Sequence, residues 1–115
     1  MASDAVIISF AEHNGVYATA FKNIMDWKSR IPDSKTWEDK QMFVLSTSPG
    51  KRAGSNIMAV VKSHFPHQGT DIQASFSLPS FYANYSTTDG ITSGALKQEF
   101  EDQVTAFKEA LNLKA

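Results

Sequence analysis

No cysteine occurs in the 115 residues. This excludes disulfides, thiolate catalysis and cysteine-bearing metal centres, and it fits a reducing compartment. A long apolar run is missing too. The opening segment MASDAVIISF carries no basic residue ahead of its short apolar stretch, Ala5 to Ile8, which is too brief for a signal peptide or a membrane span. Nothing there directs the chain out of the cytoplasm, and a cytoplasmic protein is expected. Neither sign of charge dominates, with 11 Lys and Arg against 12 Asp and Glu. Nucleic acid and anionic membrane both require a basic field, so neither is expected as a partner. The hydrophobic share of 42% is high enough to argue against disorder, and the length predicts a single domain over residues 1–115.

What is present is an alternation of strand and helix patterns. Val6, Ile7 and Ile8, running on to Phe10, form a continuous apolar run. Such a run predicts a strand buried on both faces, as in parallel sheets. After the polar loop Glu12 to Gly15, the apolar residues Tyr17, Ala20, Phe21, Ile24, Trp27 and Ile31 recur at helical steps and predict a helix over about 16–30. Pro32 and Asp33 stop it. Gln41 to Leu45 is the second predicted strand, followed by a small-residue loop, Ser46 to Ser55. Ile57, Met58, Val61 and Phe65 predict a helix ending near His64, with Pro66 and Gly69 as its stop signals. Ile72 to Leu78 alternates apolar with polar residues, the pattern of a strand buried on one face or lying at an edge. Pro79 to Thr92 reads as a long polar loop holding Phe81, Tyr82 and Tyr85, which either cover a bound ring or patch the open core. Leu96, Phe100, Val104, Phe107 and Leu111 define a last helix, with Ser93 or Thr92 as its N-cap.

Strand–helix alternation predicts a layered α/β fold with right-handed crossovers, and its ligand crevice lies beyond the carboxyl ends of the strands. Two loops fall there. In the first, Glu12-His13-Asn14-Gly15, Asn14-Gly15 readily takes positive φ and turns backbone amides into the crevice, with a helix dipole behind it. In the second, Ser46 to Ser55, Gly50 and Gly54 frame exposed amides and two cations, Lys51 and Arg52, a composition suited to an anionic or electron-rich ligand. It lacks the ending of a P-loop. Taken singly, each loop also reads as an ordinary βα turn. His64 and His67 read as a surface helix end rather than a metal site, and Trp27 and Trp37 as packing residues.

Taken together, Ala11-Glu12-His13-Asn14-Gly15, then Phe21-Lys22-Asn23-Ile24-Met25-Asp26-Trp27, then Ser48-Pro49-Gly50-Lys51-Arg52-Ala53-Gly54, resemble the flavin-side signature of the NADPH-dependent FMN reductase family. The corresponding family segments are typically Pro-Glu-Tyr-Asn-Gly-Ser, an Asp-Trp helix, and Ser-Pro-Gly-Gly-Arg-Gly-Gly. His13, Ala11, Lys51 and Ala53 depart from that pattern. The resemblance implies a flavodoxin-like three-layer α/β sandwich with a parallel sheet, truncated so that its strands are equivalent to the third, fourth and fifth of the family. The strand–helix–strand carrying the family's phosphate loop is expected to be missing, with Ala2-Ser3-Asp4-Ala5 as the end of a helix leading into the first strand here.

By the same resemblance the cofactor is FMN and the co-substrate NAD(P)H, with flavin or quinone compounds as acceptors. Glu12, His13, Asn14 and Gly15 then border the isoalloxazine ring, and Ser48, Gly50, Lys51 and Gly54 face its polar edge. No catalytic side chain is implied, because the cofactor carries the chemistry. The missing phosphate loop would remove charge-assisted hydrogen bonds of roughly 1.5–3 kcal/mol each. Three of them correspond to about three orders of magnitude or more in affinity. The alternative is therefore a non-catalytic fragment or assembly module, or a subunit completed by a separate polypeptide. The bare edge expected at Val6–Phe10 predicts at least a homodimer.

Overall fold

In the computed structural model, which describes residues 4–112, three parallel strands form one sheet. They are β1 (Ala5–Phe10), β4 (Lys40–Thr47) and β5 (Thr70–Leu78), in the spatial order β1-β4-β5. Ala2 and Ser3, half of the segment expected to end a helix, lie outside the described residues. Of the rest, Asp4 sits in a bend and Ala5 already opens β1. In the central strand Met42, Phe43 and Val44 are buried in succession on both faces, as its position between two neighbours requires.

Helices cover both faces. On one, α2 (Ser55–His64) and α1 (Thr19–Lys28) pack over Phe10, Tyr17, Met42, Val44 and Trp37, around a fully buried Phe65. Phe65 begins a 3-10 turn that Gly69 closes at φ 78. On the other face, α4 (Gly94–Ala110) lays Phe107, Phe100 and Val104 over Phe43, Ala74 and Phe76. The Ser93 hydroxyl caps α4, accepting from the Leu96 N–H at 3.4 Å.

The structure also differs from the sequence pattern at the first loop, the first helix and residues 79–92. Glu12 to Gly15 is not an open loop. It belongs to a small antiparallel hairpin, β2 (Glu12–His13) with β3 (Val16–Tyr17), whose turn residues Asn14 and Gly15 both take positive φ, at 52° and 86°. Two positive φ values match the twist of a two-residue hairpin. The following helix therefore starts at Thr19 rather than 16. Its buried arc also differs: Met25 is buried and Phe21 half-buried, whereas Ile24 and Trp27 are exposed, as is Ile31 beyond its end at Lys28. Trp27 is 73% exposed and Trp37 only 5%, so of the two tryptophans only Trp37 is a packing residue. A further difference is at 79–92, where the polar segment folds into a one-turn helix, α3 (Phe81–Asn84), and a hairpin, β6 (Tyr85–Ser86) with β7 (Gly90–Ile91). Phe81 packs against the α4-side core and stacks on Tyr85 at 4.9 Å, leaving Tyr82 exposed.

The two outer edges of the sheet are treated differently. Along β5 the register shifts between Met42 and Phe43 of its partner, and the Gln103 side chain accepts from the Ser75 N–H at 3.0 Å. Both features blunt an edge strand. β1, expected to be buried on both faces, is instead an outer strand whose Ile7 is 63% exposed, because α4 packs chiefly over β5. Beside it an apolar groove of about 420 Å³ opens between Ile7, Phe43, Leu45, Phe100 and Val104.

Candidate functional site

Parallel strands bring all their carboxyl ends to one rim, and the two loops singled out by sequence both lie there. β1 runs through Ala11 into the hairpin. β4 ends at Thr47, and residues 48–54 lead into α2.

The second loop is held from beneath. Ser46 is buried, and its hydroxyl donates to the Ala53 carbonyl at 2.6 Å and lies 2.8 Å from the Ser77 hydroxyl. Ala53 and Gly54 are both left-handed, at φ 56° and 76°, and swing the chain into α2. At Gly54 a Cβ would stand 3.0 Å from the Ser46 Cβ, so glycine is required there by conformation and by space. Gly50 is different: a Cβ there would meet nothing within 4 Å. The flank of the loop is zipped to the segment after β5, with the Ser80 N–H donating to the Gly50 carbonyl at 2.9 Å and the Phe81 N–H to the Ser48 carbonyl at 3.0 Å. The Ser48 hydroxyl donates to the Gly50 carbonyl at 3.1 Å. Lys51 and Arg52 are exposed, and Arg52 donates to the Asn56 side-chain oxygen at 2.8 Å.

The first loop is seated on the second. A Glu12 carboxylate oxygen accepts from the Ile57 N–H, in the first turn of α2, at 2.7 Å. The neighbouring first-turn residue, Asn56, brings its side-chain nitrogen to 3.6 Å from where a Cβ of Gly15 would sit. The other leg of the hairpin is pinned by Tyr17, which is buried against Phe10, Phe21 and Phe65. Burial pushes the Tyr17 phenol above its ordinary pKa. His13 and Asn14 remain exposed on the hairpin.

All eight sequence-predicted residues thus fall on one rim, but in different settings. His13, Asn14, Gly50 and Lys51 are exposed, Gly15 and Ser48 are half-buried, Gly54 is buried, and the Glu12 carboxylate is engaged with α2. The Ile57 N–H at the α2 N-terminus is therefore already taken by a carboxylate. The helix expected to point its dipole at the first loop starts only after the hairpin. Asn56 and Ser46 had not been singled out by sequence. They carry no motif, and only the folded loops reveal their contacts. Among the described residues, no group of three or more His, Asp or Glu side chains is arranged to hold a metal ion.

The sequence model describing the NADPH-dependent FMN reductase family matches residues 1–83. The chain belongs to that family. An NADPH:quinone oxidoreductase of Arabidopsis thaliana is 28% identical over 103 residues, covering 84% of this chain and 52% of the relative. Among solved structures, FerB, a flavoenzyme NAD(P)H:(acceptor) oxidoreductase from Paracoccus denitrificans, superposes with a TM-score of 0.70 at 26% identity, over 94% of this chain and 63% of FerB. The fold is thus the flavodoxin-like α/β fold of FMN reductases. The chain spans about half the length of the curated relative and under two thirds of FerB. Among the described residues no helix is long and apolar enough to cross a membrane.

Proposed function

We propose that this chain is the flavin-facing part of an NAD(P)H-dependent FMN reductase-like oxidoreductase acting on flavin or quinone-type acceptors. The observation that carries the reading is the joined rim, where a positive-φ hairpin turn and an open glycine loop are tied together at the carboxyl ends of parallel strands. This donor set suits the edge of a planar ring. On this reading His13, Asn14 and Gly15 border the ring, Ser48, Gly50 and Lys51 face its polar edge, and Glu12 and Gly54 complete the set by shaping the two loops. Bound FMN supplies the hydride relay between NAD(P)H and the acceptor. The residues of the chain orient the ring and shield one side of it from water. A cytoplasmic setting belongs to the same proposal and is supported by the cysteine-free sequence.

On this reading the two loops meet the ring rather than the phosphate. Glu12 takes the Ile57 N–H of α2, and Ser93 caps α4, whereas the first turn of α1 has no side-chain cap. Titration with FMN and with riboflavin, followed by flavin fluorescence, tests this. Quenching by both, with affinities within a few-fold, is the expected result. A protein that ignores an excess of either flavin would favour the alternative, a non-catalytic assembly module of this fold.

The contrast between the two sheet edges supports a homodimer through β1. The β5 edge is blunted, whereas β1 presents an exposed Ile7 beside an apolar groove. Sedimentation velocity at micromolar concentration should show a dimer that Ile7→Lys dissociates. A monodisperse wild-type monomer would refute it.

A further inference from the structure

We propose that Glu12 is a positioning residue, a strut that sets the spacing between the two loops of the rim. The inference rests on the flavin reading above for its functional consequence, but its structural half stands alone.

Helix first-turn amides need acceptors, and the usual source is the N-cap side chain. Here the N-cap is Gly54, which has no side chain. It cannot readily gain one, because its φ is 76° and a Cβ would crowd Ser46. The acceptor for the Ile57 N–H therefore comes from another element, the Glu12 carboxylate, 45 residues away in sequence. The adjacent pair, Gly15 and Asn56, meets on the same turn of α2, and Asn56 in turn receives Arg52 of the second loop. Tyr17 fixes the far leg of the hairpin in the core. With one leg held by Tyr17 and the other by Glu12, the Asn14–Gly15 turn has a defined place relative to residues 48–54. Without Glu12, the hairpin keeps its fold through the pairs Glu12↔Tyr17 and His13↔Val16, which are backbone pairs. It loses its seat on α2.

The experiment compares the wild type, Glu12→Ala and Glu12→Gln by NMR and by FMN titration. Glutamine keeps an oxygen that can accept from the Ile57 N–H, although it lacks the charge. The expected result is that the contact between the Gly15 α-protons and the Asn56 side-chain amide is lost in Glu12→Ala and kept in Glu12→Gln. FMN affinity should fall about tenfold or more in Glu12→Ala and recover most of the way in Glu12→Gln, the scale of one charge-assisted hydrogen bond. A Glu12→Ala variant that keeps the Gly15–Asn56 contact, or that binds FMN within twofold of wild type, overturns the strut. A wild type that binds no FMN sinks the functional reading instead, and the Gly15–Asn56 contact then decides the strut alone.

Discussion

Gly54→Ala is the sharpest single test of how the second loop is built. Gly54 is left-handed at φ 76°, a region that costs an L-residue about 1–2 kcal/mol. The added methyl would also stand 3.0 Å from the Ser46 Cβ and 3.1 Å from its hydroxyl. Ordinary carbon contacts lie near 3.5–4.0 Å. Ser46 has little room to yield, since it is buried in the central strand with its hydroxyl engaged by Ala53 and Ser77. Displacing it leaves a buried polar group short of a partner, worth roughly 1–3 kcal/mol. Reduced freedom of the unfolded chain returns about 0.4–1 kcal/mol. The net expectation is a destabilisation of about 2–4 kcal/mol, a large fraction of the 5–15 kcal/mol typical of a domain. Urea titration followed by far-UV circular dichroism measures it, with the midpoint falling at an unchanged slope. Gly50→Ala is the control. Gly50 lies in the same loop with no positive φ and open space at its Cβ, so its effect should stay between neutral and about 1 kcal/mol stabilising. The reasoning fails if Gly54→Ala lies within about 0.5 kcal/mol of wild type, or if the two alanines cost the same.

Tyr17→Phe should be neutral or stabilising by about 1–2 kcal/mol, because the buried Tyr17 hydroxyl has no hydrogen-bond partner among the described residues. Since burial raises the Tyr17 pKa above 10.0, the folded state keeps a proton that the unfolded chain gives up. Stability is therefore lost as pH rises past about 10, and that alkaline decline should flatten in Tyr17→Phe denaturation curves. Trp37 is buried, stacked on Phe65 at 5.0 Å and bonded through its ring nitrogen to the Gln68 side chain at 3.0 Å. Trp37→Ala should cost about 3–5 kcal/mol. Trp27→Ala should stay within about 0.5 kcal/mol, and acrylamide should quench Trp27 far more readily than Trp37. Equal costs at the two positions would contradict the buried arc of α1.

Local pattern alone located the three sheet strands, because their apolar runs and alternations are backbone-periodic and need no knowledge of neighbours. It also located α2 and narrowed the cap of α4 to Ser93 or Thr92, of which the fold uses Ser93, and it placed both rim loops, since Asn14-Gly15 and the Gly50–Gly54 segment advertise their turns in composition. The arc of α1 was not legible. That helix carries two apolar arcs, Phe21–Met25 and Ile24–Trp27, and which of them packs depends on where the Asn14–Gly15 hairpin delivers the chain. The folding of residues 79–92 was hidden for a similar reason, since Phe81 gains its partners only where α4 and the second loop arrive. The role of Glu12 lay furthest from view. Its motif resembles the flavin-side signature of the family, but its acceptor oxygen finds the Ile57 N–H only after two segments 45 residues apart are brought to the same edge of the sheet. Turn chemistry is a property of neighbours along the chain. The spacing of the rim is a property of neighbours across it, and only the tertiary structure determines that.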